Sequence, residues 1–419
     1  MTQENFGINI FGSFDAINGL SESTRINTTA LQKAGVKTYI QNCNFDSKNK
    51  GIVKDQTDDG FVLFNSNEIN LIHFNYNVIS HFFDSIPPSY LENKYNIGFW
   101  AWEFLNPPDN TLKCLSILDE IWVPSYFCVE SLMKVSSKPI VRFLHPIHLE
   151  VNNLSRLDLK LPKEKFIFLT VFDALSIPER KNPLGVINAF HKAFGQKNEN
   201  VLLIIKTLNL NKFKEYFKRM NNQISGSNNI IIIDEKMDRD RYIGLLKNCD
   251  AYISMHRCEG FGLTMAEAMY LGKPTIATGY SGNTDFMNVS NSYLIDFSMV
   301  KDDIGYIKKS EWWAEPDIND AAEKMKEVYN NYKAALLKGK KASEFIKKNL
   351  SPDIIGSQMK NRIEIINTKL LTNKNNQTSE SLNIANENFR LQNRISSLEK
   401  SLTNRFIDGL NYVFQKLLG

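Results

Sequence analysis

The chain of 419 residues has little of several things, and each shortage removes a class of function. Its five cysteines (Cys43, Cys114, Cys128, Cys249 and Cys258) are scattered, with no C-x-x-C pair. That excludes a disulfide frame and points to a reducing compartment. Net charge is only +4, too small to indicate a nucleic-acid partner. No apolar run approaches the roughly 20 residues that span a bilayer. The first residues, Met-Thr-Gln-Glu-Asn, have no basic stretch followed by an apolar one, so no signal peptide is expected and a cytoplasmic protein is the simplest reading. The histidines His73, His145 and His148 have no metal-ligand spacing. What remains is an ordinary globular composition, 42% hydrophobic and 23% charged, long enough for two or three domains.

Short β-rich runs alternate with helical patterns from residue 6 to about residue 350. Strands are predicted at Ile8–Phe14, Thr38–Gln41, Asn70–Phe74, Ile97–Trp102, Glu120–Val123 and Ile140–Leu144. A second series follows at Phe166–Phe172, Val201–Lys206, Asn229–Ile233, Ala251–Met255 and Thr275–Thr278. Helices are predicted near Ser21–Lys33, Pro183–Phe194, Arg239–Lys247 and Thr264–Leu271. This βαβα rhythm implies parallel sheets covered on both faces, and it restarts after a polar stretch at 151–162. Two doubly wound α/β domains facing a cleft are expected, at 1–148 and 149–350. A helix at 351–371 would return toward the first domain, a polar linker would cover 372–388, and a helical, coiled-coil tail 389–419. Heptad-spaced Ile384, Leu391 and Leu398 and an amphipathic end suggest self-association through 384–418 or peripheral membrane contact.

The most informative string is Glu259-Gly-Phe-Gly-Leu-Thr-Met-Ala-Glu267, set after a strand and opening a helix. Glycines let backbone approach a ligand, and a helix start favours an anion. Two readings of Glu267 stand open: a ligand-binding acid, or the far end of a capping box begun by Thr264. Arg180-Lys181 follows the first strand of the second series, where two cations can neutralise a leaving diphosphate. A surface pair is the plainer alternative. Glu103 ends a predicted strand and can position or deprotonate a hydroxyl, or be a buried structural partner. Ser21, after Gly19, reads equally as a helix N-cap or a ligand contact. Trp100 and Trp102 read as core. Asp238-Arg-Asp240 matches a metal-binding D-x-D string but falls where a helix start favours Asp, and is read as that.

The Glu259-to-Glu267 string resembles the E-x7-E motif of retaining glycosyltransferases of the GT-B fold, family 4 of their classification. The likeness extends to Asn9–Arg25, Gly98-Phe-Trp-Ala-Trp-Glu103, Asp119–Ser125, Arg180-Lys-Asn-Pro183, Tyr280–Phe286 and Trp313-Ala-Glu-Pro-Asp317. It spans roughly residues 6–370 and is similar to a bacterial group tied to surface glycan synthesis: O-antigen, capsule or glycoprotein. The resemblance implies a GT-B architecture and sugar transfer from a UDP-, GDP- or ADP-sugar to a glycan, lipid-linked or protein acceptor, at the inner face of the membrane. Glu259 would hold the donor sugar and Glu267 the ribose. Gly260, Phe261, Gly262, Leu263 and Thr264 would line the donor site beside Arg180 and Lys181. Gly19, Ser21, Ser281 and Gly282 would form acceptor or diphosphate loops. No metal and no cofactor are expected. Many relatives carry Arg six positions before the lysine, where this chain has Leu175. A catalytically silent GT-B scaffold, a GT-B sugar-nucleotide epimerase and a phosphorylase remain the alternatives.

Overall fold

Two open parallel sheets organise the chain in the computed structural model, which describes residues 7–44, 52–55, 67–107, 111–303, 310–371 and 392. The first sheet is built from β1 (Gly7–Gly12), β2 (Lys37–Asn44), β3 (Ile52–Asp55), β4 (Ile69–Ile72), β5 (Tyr95–Phe99), β6 (Glu120–Val123) and β7 (Ile140–Arg142), in the order β3-β2-β1-β4-β5-β6-β7. Only the β2–β3 pairing is antiparallel. The second is built from β8 (Phe166–Asp173), β9 (Val201–Leu208), β10 (Ile230–Asp234), β11 (Ala251–Ser254), β12 (Thr275–Thr278) and β13 (Tyr293–Ile295), in the order β10-β9-β8-β11-β12-β13, all parallel. Helices cover both faces, so the inner strands are buried along most of their length; β9 reads Val-Leu-Leu-Ile-Ile-Lys-Thr-Leu for that reason. The order reverses between β1 and β4 and between β8 and β11. Those are the switch points at which such sheets bind ligands beyond their carboxyl ends.

Every strand predicted above is present; Glu120–Val123 and Thr275–Thr278 have the predicted bounds and the others have shifted ends. β5 stops at Phe99 rather than Trp102, because the Asn75 side chain bonds both the N–H and the carbonyl of Ala101. Glu103 therefore sits in a loop past the strand. A third element escaped the pattern: β14 (Phe297–Asp303) and β15 (Ser310–Pro316) form an antiparallel ribbon. It is tied to the second sheet's loops by a bond from Ala314 N–H to the Arg257 carbonyl. Trp313 on this ribbon packs with Trp102, Phe104 and Phe127, and both Trp100 and Trp102 are core.

Residues 1–361 form one compact unit and 362–419 another. Within the first, helix Pro352–Ile365 sets Gly356 against helix Gly19–Lys33 so closely that a Cβ would lie 2.1 Å from the Ala30 carbonyl oxygen. Ile147 N–H also donates to the Leu350 carbonyl at 2.6 Å. In the second unit the chain continues through a π-helix, Ile366–Leu371. The expected linker at 372–388 lies outside the described residues, as does the coiled-coil tail at 389–419 apart from residue 392. Among the described residues no helix is long and apolar enough to cross a membrane.

Candidate functional site

Past β8 the chain makes a tight, strained path. Ile177 adopts φ 63°, a left-handed conformation unusual for a β-branched residue, and Asn182 adopts φ 52°. Between them the short helix Pro178–Lys181 carries the basic pair. Asn182 then caps helix Pro183–Phe194 by accepting the Gly185 N–H at 3.1 Å. Leu175 points outward, 57% exposed.

The two cations separate by burial. Arg180 is fully enclosed: its Nη1 donates to the Cys258 carbonyl at 2.8 Å and its Nε to the Ser176 carbonyl at 3.2 Å. The same guanidinium pairs with two acids, Glu259 Oε2 at 3.1 Å and Glu103 Oε1 at 2.7 Å. The Glu103 contact is a charge pair outside hydrogen-bond alignment, since Nη2 has no aligned acceptor. Lys181 also pairs with Glu259, through its other oxygen, and keeps 20% of its side chain exposed. Arg180 thus stands behind the two carboxylates, and Lys181 is the cation open to the cleft.

Glu259 is buried, which by itself raises its pKa; Lys181 and then Arg180 overcome that and hold it near 2. Glu103 goes the other way: burial pushes it up, Arg180 opposes, and the nearby Glu259 charge adds to the rise. The pair is one ionised acid and one reluctant acid around one guanidinium.

The turn after Glu259 is packed against backbone on both sides. Gly260 lies on the Ala101–Trp102 backbone, and a Cβ on Gly282 would come within 2.3 Å of the Gly260 oxygen. The Gly260 carbonyl accepts from Ser125 Oγ, on the first sheet's half, at 2.6 Å. Ser281 has φ 74° and ψ −152°, a region almost confined to glycine. Its hydroxyl accepts the Glu259 N–H at 2.8 Å and donates to the Tyr280 carbonyl at 2.6 Å. Gly282 and Ser281 thus form the wall that shapes the acid's turn. Phe261 is buried and continues a column of rings, His73–Phe99–His145–Phe261–Phe286, with centroid spacings of 4.8, 5.4, 4.9 and 4.9 Å. Burial lowers both imidazoles of that column to about 3, which keeps them neutral.

The capping-box reading of Glu267 is overturned. The helix is Leu263–Tyr270, and its N-cap is Gly262 at φ 96°, which has no side chain to offer. Thr264 already lies inside the helix, and its Oγ1 bonds the Tyr252 hydroxyl at 2.8 Å. Glu267 instead receives Arg239 Nη2 on Oε1 at 2.6 Å and the Tyr242 hydroxyl on Oε2 at 2.7 Å. The N-cap reading of Ser21 fails likewise. Helix Gly19–Lys33 starts two residues earlier, capped by Asn18, which accepts the Ser21 N–H at 2.9 Å. The Ser21 hydroxyl is left buried and unpartnered, while Gly19 opens onto free space. Asp238, by contrast, is the expected N-cap, accepting from Arg241 N–H. Among the described residues no cluster of three His, Cys, Asp or Glu side chains is arranged to hold a metal.

Several contributors were invisible in the sequence. Ser125, Arg142 and Asp285 clasp the two halves: Asp285 accepts from Tyr126 N–H at 3.1 Å and from Arg142 at 2.9 Å, with the Arg142 guanidinium 4.0 Å over the Tyr126 ring. His256 is buried with its Nε2 3.0 Å from Asn283 Oδ1, bracing the loop that carries Ser281. The local signals were weak: Ser125 sits where an N-cap is expected, and nothing marks its distant partner, the Gly260 carbonyl.

Two sheets with reversed order at β1 and β8, facing each other across these ion pairs, define the GT-B architecture. Solved structures agree. The chain superposes on sucrose-phosphate synthase from Thermosynechococcus elongatus with a TM-score of 0.64 and 13% identity, covering 86% of this chain and 99% of that one. On HepE from Anabaena, in complex with UDP and glucose, the TM-score is 0.61 with 12% identity, again over 86% and 99%. Residues 154–348 match the family model described as Glycosyl transferases group 1, a stretch that contains Arg180, Lys181, Glu259 and Glu267. A curated relative, trehalose synthase from Pyrococcus horikoshii, is 30% identical over 119 residues. The match takes in 28% of this chain and only 23% of that protein's length.

Proposed function

We propose that this protein is a family 4 glycosyltransferase that moves a hexosyl group from a nucleotide diphosphate sugar to a hydroxyl acceptor with retention at the anomeric carbon. The carrying observation is the convergence of Arg180 and Lys181 on Glu259, with Glu103 on the same guanidinium. Arg180, Lys181 and Glu259 lie by the β8 switch point, inside the matched residues 154–348, and Glu103 reaches them from the first sheet's half. That HepE was crystallised with UDP and glucose favours a nucleotide-sugar donor.

In the reaction the bond from the anomeric carbon to the β-phosphate oxygen breaks and the bond from that carbon to the acceptor oxygen forms on the same face. The acceptor proton passes to the departing phosphate oxygen. Lys181 leaves Glu259 for the diphosphate and stabilises the charge that develops there, together with the N–H groups at the start of helix Leu263–Tyr270. Glu259, ionised and freed on one oxygen, holds sugar hydroxyls and faces the oxocarbenium-like carbon. Arg180 keeps Glu259 and Glu103 in register, and Glu103 orients the acceptor hydroxyl. Glu267 receives the ribose hydroxyls. With Lys181 and a helix start serving the diphosphate, and Arg180 fixing the acids behind them, the proposed reaction needs no metal. The role proposed is assembly of bacterial surface glycan in the cytoplasm, on an acceptor at the membrane face.

The test is donor turnover on a panel of UDP-, GDP- and ADP-sugars, with product anomeric configuration read by NMR. The wild-type protein is expected to turn over one donor class, and Glu259→Ala to abolish turnover while still unfolding cooperatively, at a midpoint lowered by the loss of its ion pairs. Turnover of that donor by E259A at the normal rate sinks the assignment.

A further inference from the structure

Arg239 is the middle residue of the Asp238-Arg-Asp240 string, to which the sequence assigns no role of its own, yet it occupies the junction of both halves. It is the first residue of helix Arg239–Asn248, and its guanidinium lies 5.4 Å over the Tyr242 ring. One nitrogen, Nη2, meets two carboxylates: Glu267 Oε1 at 2.6 Å on its own half and Glu22 Oε1 at 3.2 Å on helix Gly19–Lys33 of the other. Glu22 is itself anchored by Arg25, at 2.7 Å.

We propose that Arg239 is a positioning residue for the nucleotide: it supplies the counter-charge of Glu267, orients that carboxylate toward the ribose, and through Glu22 ties the ribose-binding acid to the opposite domain. This rests on the donor reading above. Each carboxylate oxygen accepts about two hydrogen bonds. Arg239 takes one place on Oε1 and Tyr242 one on Oε2, so one place remains on each for the two adjacent ribose hydroxyls. The groups facing Glu267 are Arg239 and Tyr242 from one helix, Glu22 from the first domain and Tyr252 from β11. Burial pushes Glu267 up, Arg239 is the strongest opposing influence, and Glu22 adds to the rise. Without Arg239 both burial and Glu22 favour the protonated acid. A protonated carboxyl loses an acceptor place and presents a donor to the ribose instead.

The experiment is calorimetric titration of UDP, GDP and ADP into the full-length protein from pH 6 to pH 9. Each affinity is read relative to wild type at the same pH, which removes the titration of the nucleotide's own terminal phosphate at about pH 6 and sets the wild-type profile as the flat reference. Arg239→Ala should bind about tenfold or more weakly at pH 6, with affinity recovering as pH rises and the acid ionises. Arg239→Lys should restore the flat profile. Arg239→Gln, which keeps bulk and hydrogen bonding without charge, should show the same pH break as R239A and replaces it if R239A melts early. Adding Glu22→Gln to either uncharged variant should recover part of the loss at pH 6, because it removes the remaining negative charge facing Glu267. Unchanged affinity and a flat profile in R239A or R239Q would overturn the inference while leaving the donor reading intact. A wild-type protein that binds none of the three nucleotides overturns both.

Discussion

Arg180 Nη2 stands 2.7 Å from Glu103 Oε1, so a cation delivered by the second sheet neutralises an acid delivered by the first. The same guanidinium neutralises Glu259. Removing it strands the buried Glu259 and the partly exposed Glu103 at once. Arg180→Ala should therefore lose about 3–5 kcal/mol of stability, the usual result of breaking a buried pair from one side. Chemical denaturation measures it. Arg180→Lys should recover only part, since one ammonium cannot span both acids in the guanidinium's geometry. Loss below about 1 kcal/mol in R180A would mean that solvent already screens the pair.

Acid should reach Glu259 last of the three site carboxylates. Its pKa is depressed from the ordinary 4.5 to about 2, so its ion pairs contribute stability fully above pH 4.5, and that contribution is lost as pH falls toward 2. Glu103 and Glu267 are raised and act in the opposite sense, favouring the folded state as they protonate. The difference between wild type and Glu259→Gln isolates the first effect. It should be on the order of 3 kcal/mol at neutral pH and shrink between pH 4.5 and pH 2. Urea midpoints across that window give the curve, and a constant difference would contradict the assigned shift.

Ser281 offers a test in which stability and activity part company. Ser281→Ala keeps the unfavourable backbone and removes the hydroxyl from the Glu259 N–H, so it should destabilise by about 1–2 kcal/mol and slow turnover. Ser281→Gly removes the same bonds but relieves a conformation that costs about 1–3 kcal/mol in a non-glycine residue. It should melt near wild type while turning over as slowly as S281A. Equal melting of the two variants would show that the loop is not strained.

The clasp at Asp285 predicts a change in opening. Asp285→Asn leaves Arg142 without its carboxylate and weakens the contact with Tyr126 N–H. Small-angle scattering of D285N should show a larger radius of gyration than wild type in the absence of nucleotide, with the difference shrinking when nucleotide is added. Identical radii would assign the clasp to local packing.

The sheets were legible because buried parallel strands are written as continuous apolar runs, as in Val201–Lys206, and because Gly-Lys-Pro at 272–274 punctuates helix and strand. The site's acids were legible because Glu259 and Glu267 share one short string. What failed were cap positions and partners. Thr264 and Ser21 each satisfy the local rule for an N-cap, but Gly262 and Asn18 begin those helices, because a left-handed glycine in one and an Asn side chain in the other start the turn two or three residues sooner. Arg239 on Glu267, Ser125 on Gly260 and Asp285 on Arg142 join residues 28, 135 and 143 positions apart. No periodicity carries that information; it exists only after the two sheets meet. The ribbon of β14 and β15 was missed because both of its faces mix polar and apolar residues: Ser298, Val300, Asp302, Glu311 and Trp313 on one, Phe297, Met299, Lys301, Trp312 and Ala314 on the other.

The seat of Gly356 against the Ala30 carbonyl bears on how such proteins can be recombined. A hybrid that joins the first-sheet half of one parent to everything after it from another has a single seam, near residue 150. Here residues 352–361 follow the second sheet in sequence but meet the first-sheet half through a backbone contact that tolerates no side chain. A hybrid with one seam would bring together a helix pair that had never been matched. Two seams, near 150 and near 350, let residues 352–361 travel with residues 1–148 and keep that contact within a single parent.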